Sequence, residues 1–259
     1  MPLPPILDKK NYQANSIFTA RNLLREARRQ KSLREAAVPL ICVLDPDGDI
    51  VRFLVATGQG EVDPDWACYH TILYTFSLNG RQLGIIGCAV GASFAVLVAE
   101  ELFASGCELL ISMTSSGQIT TLGEPPYFIL IERALRDEGT SYHYLPPGEF
   151  STLSPHLFHR LKHAFQASSL TVYLGATWTT DAPFRETEAA IQHAQALGIL
   201  AVEMEAAALY AFAEAKQVPV VCFAHVTNQM AQKTGDFEKG AANGSHDALQ
   251  LIDRVATLW

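Results

Sequence analysis

The chain has 259 residues, of which 49% are hydrophobic and 18% charged, and its net charge is −8. This balance is typical of a globular core and excludes a disordered chain. The acidic surplus argues against a general nucleic-acid-binding role, which needs a basic face, and the length fits one large α/β domain or two small ones.

The cysteines are odd in number and widely spaced, and most lie inside apolar runs: Cys42, Cys68, Cys88, Cys107 and Cys222. No pair has CxxC spacing, so we expect reduced, buried thiols rather than disulfides or a metal site. No apolar run approaches the roughly 18 residues that a membrane helix requires, and the N-terminus lacks an apolar signal region. The sequence therefore predicts a cytoplasmic protein without a membrane partner.

The N-terminal part is predicted to be irregular over residues 1–16 and helical over 18–36. The predicted helix is rich in Arg, and Leu23, Leu24, Ala27 and Leu33 give it an apolar side. Its basic face has three interpretations: a solvated surface, a subunit contact, or an arm over an anionic site.

The next elements are predicted from apolar runs and turn residues. Residues 38–44 form a β-branched apolar run that predicts a buried strand, and the turn cluster 45–49 follows it. Further strands are predicted at 50–56 and 82–90. Gly91, Ala92 and Ser93 then open an apolar helix that runs through Phe103.

Strands alternate with helices from residue 82 onward. The remaining strands are predicted at 109–113, 127–134, 170–176, 199–204 and 218–227, and the remaining helices at 155–166, 185–197, 205–216 and 246–258. This order predicts an α/β fold: a single domain with a central mixed β-sheet flanked by helices.

Residues 201–210, Ala-Val-Glu-Met-Glu-Ala-Ala-Ala-Leu-Tyr, place two carboxylates where a strand becomes a helix. Because a Glu is rarely buried without a partner, the pair indicates a ligand contact; an exposed pair at an ordinary helix start is the alternative. The stretch resembles the ribose-binding motif of the nucleoside phosphorylase family, of the purine nucleoside and uridine phosphorylase type. The resemblance implies that Met204 packs on the sugar beside Glu203, and that Glu205 takes the ribose hydroxyls.

Two further segments resemble the phosphate-binding loops of that family. Gly91 and Ser93 stand at a predicted helix N-terminus, where backbone N–H groups and the helix dipole favour an anion. Residues 114–117, Thr-Ser-Ser-Gly, are similar to the family's phosphate loop, which implies that Ser115 holds phosphate. A tight turn is the alternative for both.

The family's two phosphate arginines are missing from the matching positions, which here hold Gly48 and Ser112. This departure matters because Arg is the residue best shaped to grip phosphate bidentately. Arg52, Arg133, Arg136 and an Arg of a neighbouring subunit are the candidates to replace them. An exposed, salt-bridged Arg is the alternative for each.

The base pocket is predicted at two strand-end loops, 178–186 and 225–230. Trp178 and Phe184 are aromatics that can stack on a base. Arg185 and Gln229 are the nearest stand-ins for the Gln-x-Arg pair that reads the uracil edge in uridine phosphorylases. Asn228 aligns with the catalytic Asp of purine-specific relatives. An amide cannot act as that acid but can bond a carbonyl or ring nitrogen. Uridine phosphorylases also tend to have Asn at this position, so the resemblance favours a pyrimidine or a 6-oxopurine base.

The resemblance implies a three-layer nucleoside phosphorylase-like fold, with residues 1–37 as an N-terminal arm and helix and 38–259 as the catalytic domain. The implied reaction is uridine-phosphorylase-like cleavage of a nucleoside by phosphate to free base and (deoxy)ribose 1-phosphate, with Glu205 and Asn228 as catalytic residues. Inorganic phosphate is co-substrate, and no organic cofactor or metal is expected. The implied partners are nucleoside, phosphate and further copies of the chain, as a dimer, trimer or trimer of dimers. A phosphate-independent hydrolase and a non-catalytic nucleoside-binding protein are the alternatives.

Overall fold

A computed structural model describes residues 3–166, 170–230 and 234–259 of the protein. The α-helices of these ranges are α1 (Ala20–Lys31), α2 (Asp49–Ala56), α3 (Ala92–Ala104), α4 (Pro155–Leu161), α5 (Glu188–Ala196), α6 (Ala206–Lys216) and α7 (Ser245–Leu258). The strands are β1 (Ile41–Asp45), β2 (Glu61–Val62), β3 (Leu73–Leu78), β4 (Arg81–Gly87), β5 (Leu109–Gln118), β6 (Tyr127–Asp137), β7 (Phe150–Thr152), β8 (Val172–Thr180), β9 (Ile199–Glu203) and β10 (Val220–Asn228).

One mixed sheet holds these strands, and half of it closes on itself. The strands β5, β10, β6, β8 and β9 pair in a complete ring, because β10 pairs with β6 on one side and with β5 on the other. From β5 the sheet continues outward through β1, β4, β3 and β2, while β7 pairs with β6. The strands β10, β5, β1 and β4 are mutually parallel, so their carboxyl ends share one edge of the sheet.

The helices form two packed groups. The helix α3 contacts both α1 and α6, and α6 also packs on β6, β8 and β10. The helix α7 contacts α2 and α4. Seven consecutive residues of α6, from Ala206 to Phe212, are buried, which explains why its first half is almost wholly Ala and aromatic. This architecture confirms the predicted α/β fold. Within the described ranges, no helix combines the length and apolarity needed to cross a bilayer.

The predicted strand at residues 50–56 is wrong: this segment is α2. A short apolar run is compatible with either a strand or a helix. Here the residues before the run, 45–48, determine that it becomes a helix. The buried carboxylate of Asp45 accepts hydrogen bonds from the N–H groups of Gly48 (3.1 Å) and Val51 (2.9 Å), which turns the chain into a helix. Ile50 and Leu54, four residues apart, are then both buried on one helical face.

The structure also extends several strands beyond their predicted ends and adds three that the sequence analysis missed, β2, β3 and β7. The Thr-Ser-Ser-Gly run at 114–117, expected as a loop, lies inside β5. It stays extended because β10 pairs with it as far as Gly117, where β9 joins from the other side. Trp178 likewise lies inside β8 rather than in the loop after it.

The N-terminal helix packs on the body of the protein far from the sheet edge. Leu24 and Ala27 of α1 are buried against Ala67 and Ala104, the latter being the last residue of α3. The 13 residues of α3 place that end about 18 Å from its first residue, at 1.5 Å per residue. The buried face of α1 therefore packs near the C-terminal end of α3, opposite to the end that follows Gly91.

Candidate active site

The carboxylate of Glu205 lies at the centre of the candidate site. Glu205 precedes α6, is 1% exposed, and accepts two hydrogen bonds: one from the Gly91 N–H (2.7 Å) and one from Thr114 Oγ1 (2.7 Å). The structure thus brings together the β9–α6 junction, the turn before α3 and strand β5. The pair Glu203–Glu205 is not the exposed pair of an ordinary helix start.

Glu203 has a different surrounding, and the protein itself satisfies its carboxylate. One oxygen accepts from Thr177 Oγ1 (3.1 Å) and Thr179 Oγ1 (2.5 Å), and the other from the N–H groups of Glu205 and Ala206 (2.7 Å each). These bonds cap the N-terminus of α6, whose first N–H groups need partners. Glu203, which the sequence suggested as a sugar contact, therefore positions Glu205.

Burial changes the acidity of both carboxyls. Desolvation, followed by the negative charge of Glu203, raises the pKa of Glu205 to about 7. Burial also raises the pKa of Glu203 above its usual value, against the effect of its four hydrogen-bond donors. A carboxyl whose pKa lies near neutrality, in a turn between a strand and a helix, is a candidate functional group.

Ser115 leaves β5 on the face opposite to Thr114, because side chains alternate along a strand. In the register with β10, Ser115 lies beside His225, whose ring stacks on Phe128 with a centroid distance of 4.4 Å. Burial lowers the pKa of His225 to about 4, so this ring is neutral at pH 7. The side of β5 that faces β1 is paired only up to Ser112, which leaves Thr114 and Ser115 next to a gap in the ladder.

Gly91 borders this gap and provides room for a ligand. Its φ of 90° favours glycine, and an added Cβ would meet nothing within 4 Å, so open space adjoins the turn. Ser93 is exposed in the first turn of α3. A separate cavity of about 500 Å³ lies at the other end of α6, between Leu157, Ala213 and Gln217, and is remote from Glu205.

Asn228 ends β10 and is largely engaged with the protein. Its amide nitrogen donates to Ser116 O (3.4 Å) and Thr227 Oγ1 (3.2 Å), and its amide oxygen accepts from the Met230 N–H (3.0 Å). Gln229, the next residue, is exposed. The amide can reach a base only by exchanging one of these partners.

The three apolar candidates differ in exposure. Trp178 is 5% exposed and donates through its indole nitrogen to Asp137 (2.9 Å), so it serves the core. Phe184 is 100% exposed, and the structure does not bring it against Glu205. Met204 is half-buried between the two glutamates.

The candidate arginines are all paired. Arg52 donates to Asp49 (2.7 Å) and to Asp47 O (2.9 Å), and Arg133 stacks on Phe150 at 4.4 Å. Arg136 is buried and donates to Ser141 and to two carbonyls. Ser112, at the position of a family arginine, is buried with no hydrogen-bond partner for its hydroxyl among the described residues.

Sequence reasoning missed the partners that shape this site. In the hydroxyl run 114–117 the sequence analysis assigns a ligand-binding role to Ser115, whereas Thr114 is the residue that bonds Glu205. Thr177 and Thr179 are two residues apart on a strand, which places both hydroxyls on one face. This spacing could have indicated that both donate to one acceptor, Glu203. Lys239, which reaches Asp47 and Asp49, had no local signal. In the described ranges, no cluster of His, Cys, Asp and Glu side chains is arranged to hold a metal ion.

Comparisons with known proteins agree with this architecture. A family model described as the phosphorylase superfamily matches residues 41–257. Purine nucleoside phosphorylases of the DeoD type from Bacillus cereus (strain ZK / E33L) and Bacillus thuringiensis (strain Al Hakam) are 27% identical over 157 residues. These matches cover 58% of this chain and 66% of each relative, slightly less than two thirds of the relatives' length.

Two crystal structures of a uridine phosphorylase from Vibrio fischeri ES114 superpose on the chain with TM-scores of 0.70. One is 23% identical and covers 86% of this chain and 92% of the other. The second, a complex with 6-hydroxy-1-naphthoic acid, is 19% identical and covers 89% and 96%. At these identities the superposition establishes a common fold.

Proposed function

The chain belongs to the phosphorylase superfamily, and on this premise we propose that it cleaves the N-glycosidic bond of a nucleoside with phosphate. The observation that carries the proposal is the buried Glu205 carboxylate, held by Gly91 and Thr114 at the β9–α6 junction. Each carboxylate oxygen keeps lone pairs that a ribose diol can use. Because Glu205 is 1% exposed, a nucleoside reaches it through movement of the Gly91 turn.

The proposed reaction assigns a role to each part of the site. Glu205 holds the ribose hydroxyls and Met204 packs on the sugar. A phosphate oxygen bonds to C1′ as the C1′–N bond breaks, and the electron pair leaves with the base, which takes up a proton. The transition state gathers positive charge on the sugar, which the Glu205 carboxylate and phosphate stabilise. This chemistry requires no organic cofactor or metal.

Asn228 is the proposed contact for the departing base, in a uridine-phosphorylase-like manner. Its amide does not transfer a proton but donates or accepts a hydrogen bond at a carbonyl or ring nitrogen. Gln229, the residue after Asn228, and Phe184, in the loop after β8, are exposed and are proposed to close over the base.

Hydrolysis is the second candidate, and one observation favours it. Arg52 and Lys239, the cations near the β1–α2 turn, are both ion-paired to aspartates, and neither family arginine is present. Water would then attack C1′ in place of phosphate.

We expect base release from a panel of nucleosides to depend on inorganic phosphate. The panel includes uridine, thymidine, inosine and adenosine, with and without phosphate at constant ionic strength. Release only with phosphate supports phosphorolysis, and equal release without phosphate makes the protein a hydrolase. Binding without any release would make it a nucleoside-binding protein and contradict both enzymatic candidates.

The pH profile gives a separate prediction. A carboxyl with a pKa of about 7 is mostly protonated below that pH, so we expect kcat/KM to rise with pH and to level off above about 7. Glu203→Gln removes the neighbouring negative charge and should move the inflection to lower pH. A profile that is flat from acidic to mildly alkaline pH would contradict an ionised Glu205 in the reaction.

We also propose that the enzyme is a cytoplasmic homo-oligomer. All five cysteines are free, which fits a reducing compartment. Exposed apolar side chains, Ile72 (54%), Val90 (51%) and Leu97 (38%), follow the edge that carries Gly91, as expected of a surface covered by another copy. Sedimentation analysis would test this, and a monomer at working concentration would contradict it.

A further inference from the structure

A segment after β10 crosses the sheet edge and is fastened by one lysine. We define residues 234–244 as the strap. Lys239 Nζ in the strap lies 2.7 Å from Asp47 Oδ2 and 2.6 Å from Asp49 Oδ2, both on the β1–α2 turn. Asn243 adds a longer contact to Asp49 (3.4 Å), and the Glu238 N–H donates to Thr227 O (2.8 Å) at the root of the strap.

The strap lies over the position of Ser115. β10 and β1 flank β5 on its two sides and run parallel to it, so a contact from the segment after β10 to the turn after β1 crosses β5. The strap does so on the face that carries His225 and Ser115. A Cβ on Gly244 would collide with both the His225 ring and the carbonyl of Lys239.

A second cation meets Lys239 at the same turn. Gly48 has a φ of 75°, and Arg52 Nη1 lies 2.8 Å from the point where a Cβ on Gly48 would sit. The Arg52 guanidinium therefore occupies the space that a side chain at position 48 would enter. Lys239 and Arg52 thus meet at the β1–α2 turn, although the two positions of the family's phosphate arginines hold Gly48 and Ser112.

The carboxylate of Asp49 lies between these cations as a bound oxyanion would. Its Oδ1 accepts from Arg52 and its Oδ2 from Lys239. Partial burial alone would raise the pKa of Asp49, but Lys239 and Arg52 hold this pKa below its usual value. Asp47 adds a second negative charge, so the two carboxylates balance the charges of Lys239 and Arg52.

We propose that Arg52 and Lys239 form the phosphate-binding site of this chain, and that Asp49 with Asp47 fills this site in the absence of ligand. Phosphate enters by displacing the carboxylates from the two cations, which releases the strap. The inference rests on the proposed function in that it assigns the phosphate ligand to this edge of the sheet. It identifies Lys239 as a ligand-binding residue and makes Asp47 and Asp49 competitors of phosphate for the two cations.

Removal of the internal carboxylates should tighten phosphate binding. If the cations are free in about a tenth of molecules or fewer, D47N/D49N should bind phosphate about tenfold tighter or more. Titration calorimetry of the full chain with inorganic phosphate, at constant ionic strength and without nucleoside, measures this. The single variant D49N should shift in the same direction and carries the test if the double variant does not fold.

Two further variants give the test its specificity. The double variant D8N/E214Q makes the same charge change at exposed residues and should leave phosphate affinity unchanged. K239Q in the D49N background should cancel the gain. Unchanged affinity in folded D49N and D47N/D49N, or an equal gain in D8N/E214Q, would overturn the inference.

The outcome is separable from that of the proposed function. Tighter phosphate binding in D47N/D49N without phosphate-dependent base release would uphold the anion site and reject phosphorolysis. Phosphate-dependent base release together with unchanged phosphate affinity in D47N/D49N would support phosphorolysis and reject the anion site.

Discussion

Glu205→Gln is expected to lower kcat/KM for base release by about 10²–10³-fold, because the variant loses the charge that bonds the ribose hydroxyls and stabilises the sugar cation. Gln has nearly the same shape as Glu, and its amide oxygen still accepts from one of the two donors, Gly91 or Thr114. The expected loss is therefore catalytic rather than structural. Initial rates of base release over a range of nucleoside concentrations measure it.

Glu214→Gln is the matched control, since it makes the same change at an exposed position of α6. It should retain wild-type activity. Glu205→Ala should lose nucleoside binding while near-ultraviolet circular dichroism keeps its native form. Wild-type kcat/KM in a folded Glu205→Gln would remove Glu205 from the proposed mechanism.

Glu203→Ala is expected to reduce stability far more than a surface substitution. It leaves two buried hydroxyls and two backbone N–H groups without their acceptor, and each buried unsatisfied group costs about 1–3 kcal/mol. Relaxation and water entry recover part of this, so we expect a loss of about 3–5 kcal/mol in the free energy of unfolding. At roughly 2–4 °C per kcal/mol for a protein of this size, the melting temperature should fall by about 10 °C.

Denaturant titration and thermal melts measure the effect of this change. Glu203→Gln keeps an oxygen for the N–H groups of Glu205 and Ala206, and its amide can donate to the threonines, so most of the stability should return. Glu214→Ala should melt like the wild type. A Glu203→Ala variant as stable as the wild type would contradict the capping role of Glu203.

Much of the fold follows from the order of apolar runs and turn residues, because both reflect local requirements of the chain. The errors occur where partners distant in sequence decide. The run at 50–56 becomes a helix through the buried Asp45 carboxylate, and the polar 114–117 run stays extended because β10 and β9 pair with it. The strand β3 was missed because its buried positions, Leu73 and Phe76, do not alternate regularly.

The site was predictable only where its residues are adjacent in sequence. Glu203 and Glu205 stand in one recognisable stretch, but the sequence placed Glu203 on the sugar and did not show that protein donors satisfy its carboxylate. The groups that hold Glu205 lie 91 and 114 residues away in the chain, and Lys239 lies 190 residues from Asp49. No local pattern encodes such pairings, since they arise when the strand ends meet at one edge of the sheet.

The closed ring of β5, β10, β6, β8 and β9 has a consequence for how such a protein can diverge. A strand inside a closed ladder cannot slip by one residue without breaking pairs on both sides, so the spacing among Ser115, Asn228 and Glu203 is fixed by backbone register. The strap and the loop that carries Phe184 lie outside the ladder. Insertions, deletions and charge changes can therefore accumulate in these two segments without disturbing the register of the strands that carry Ser115, Asn228 and Glu203.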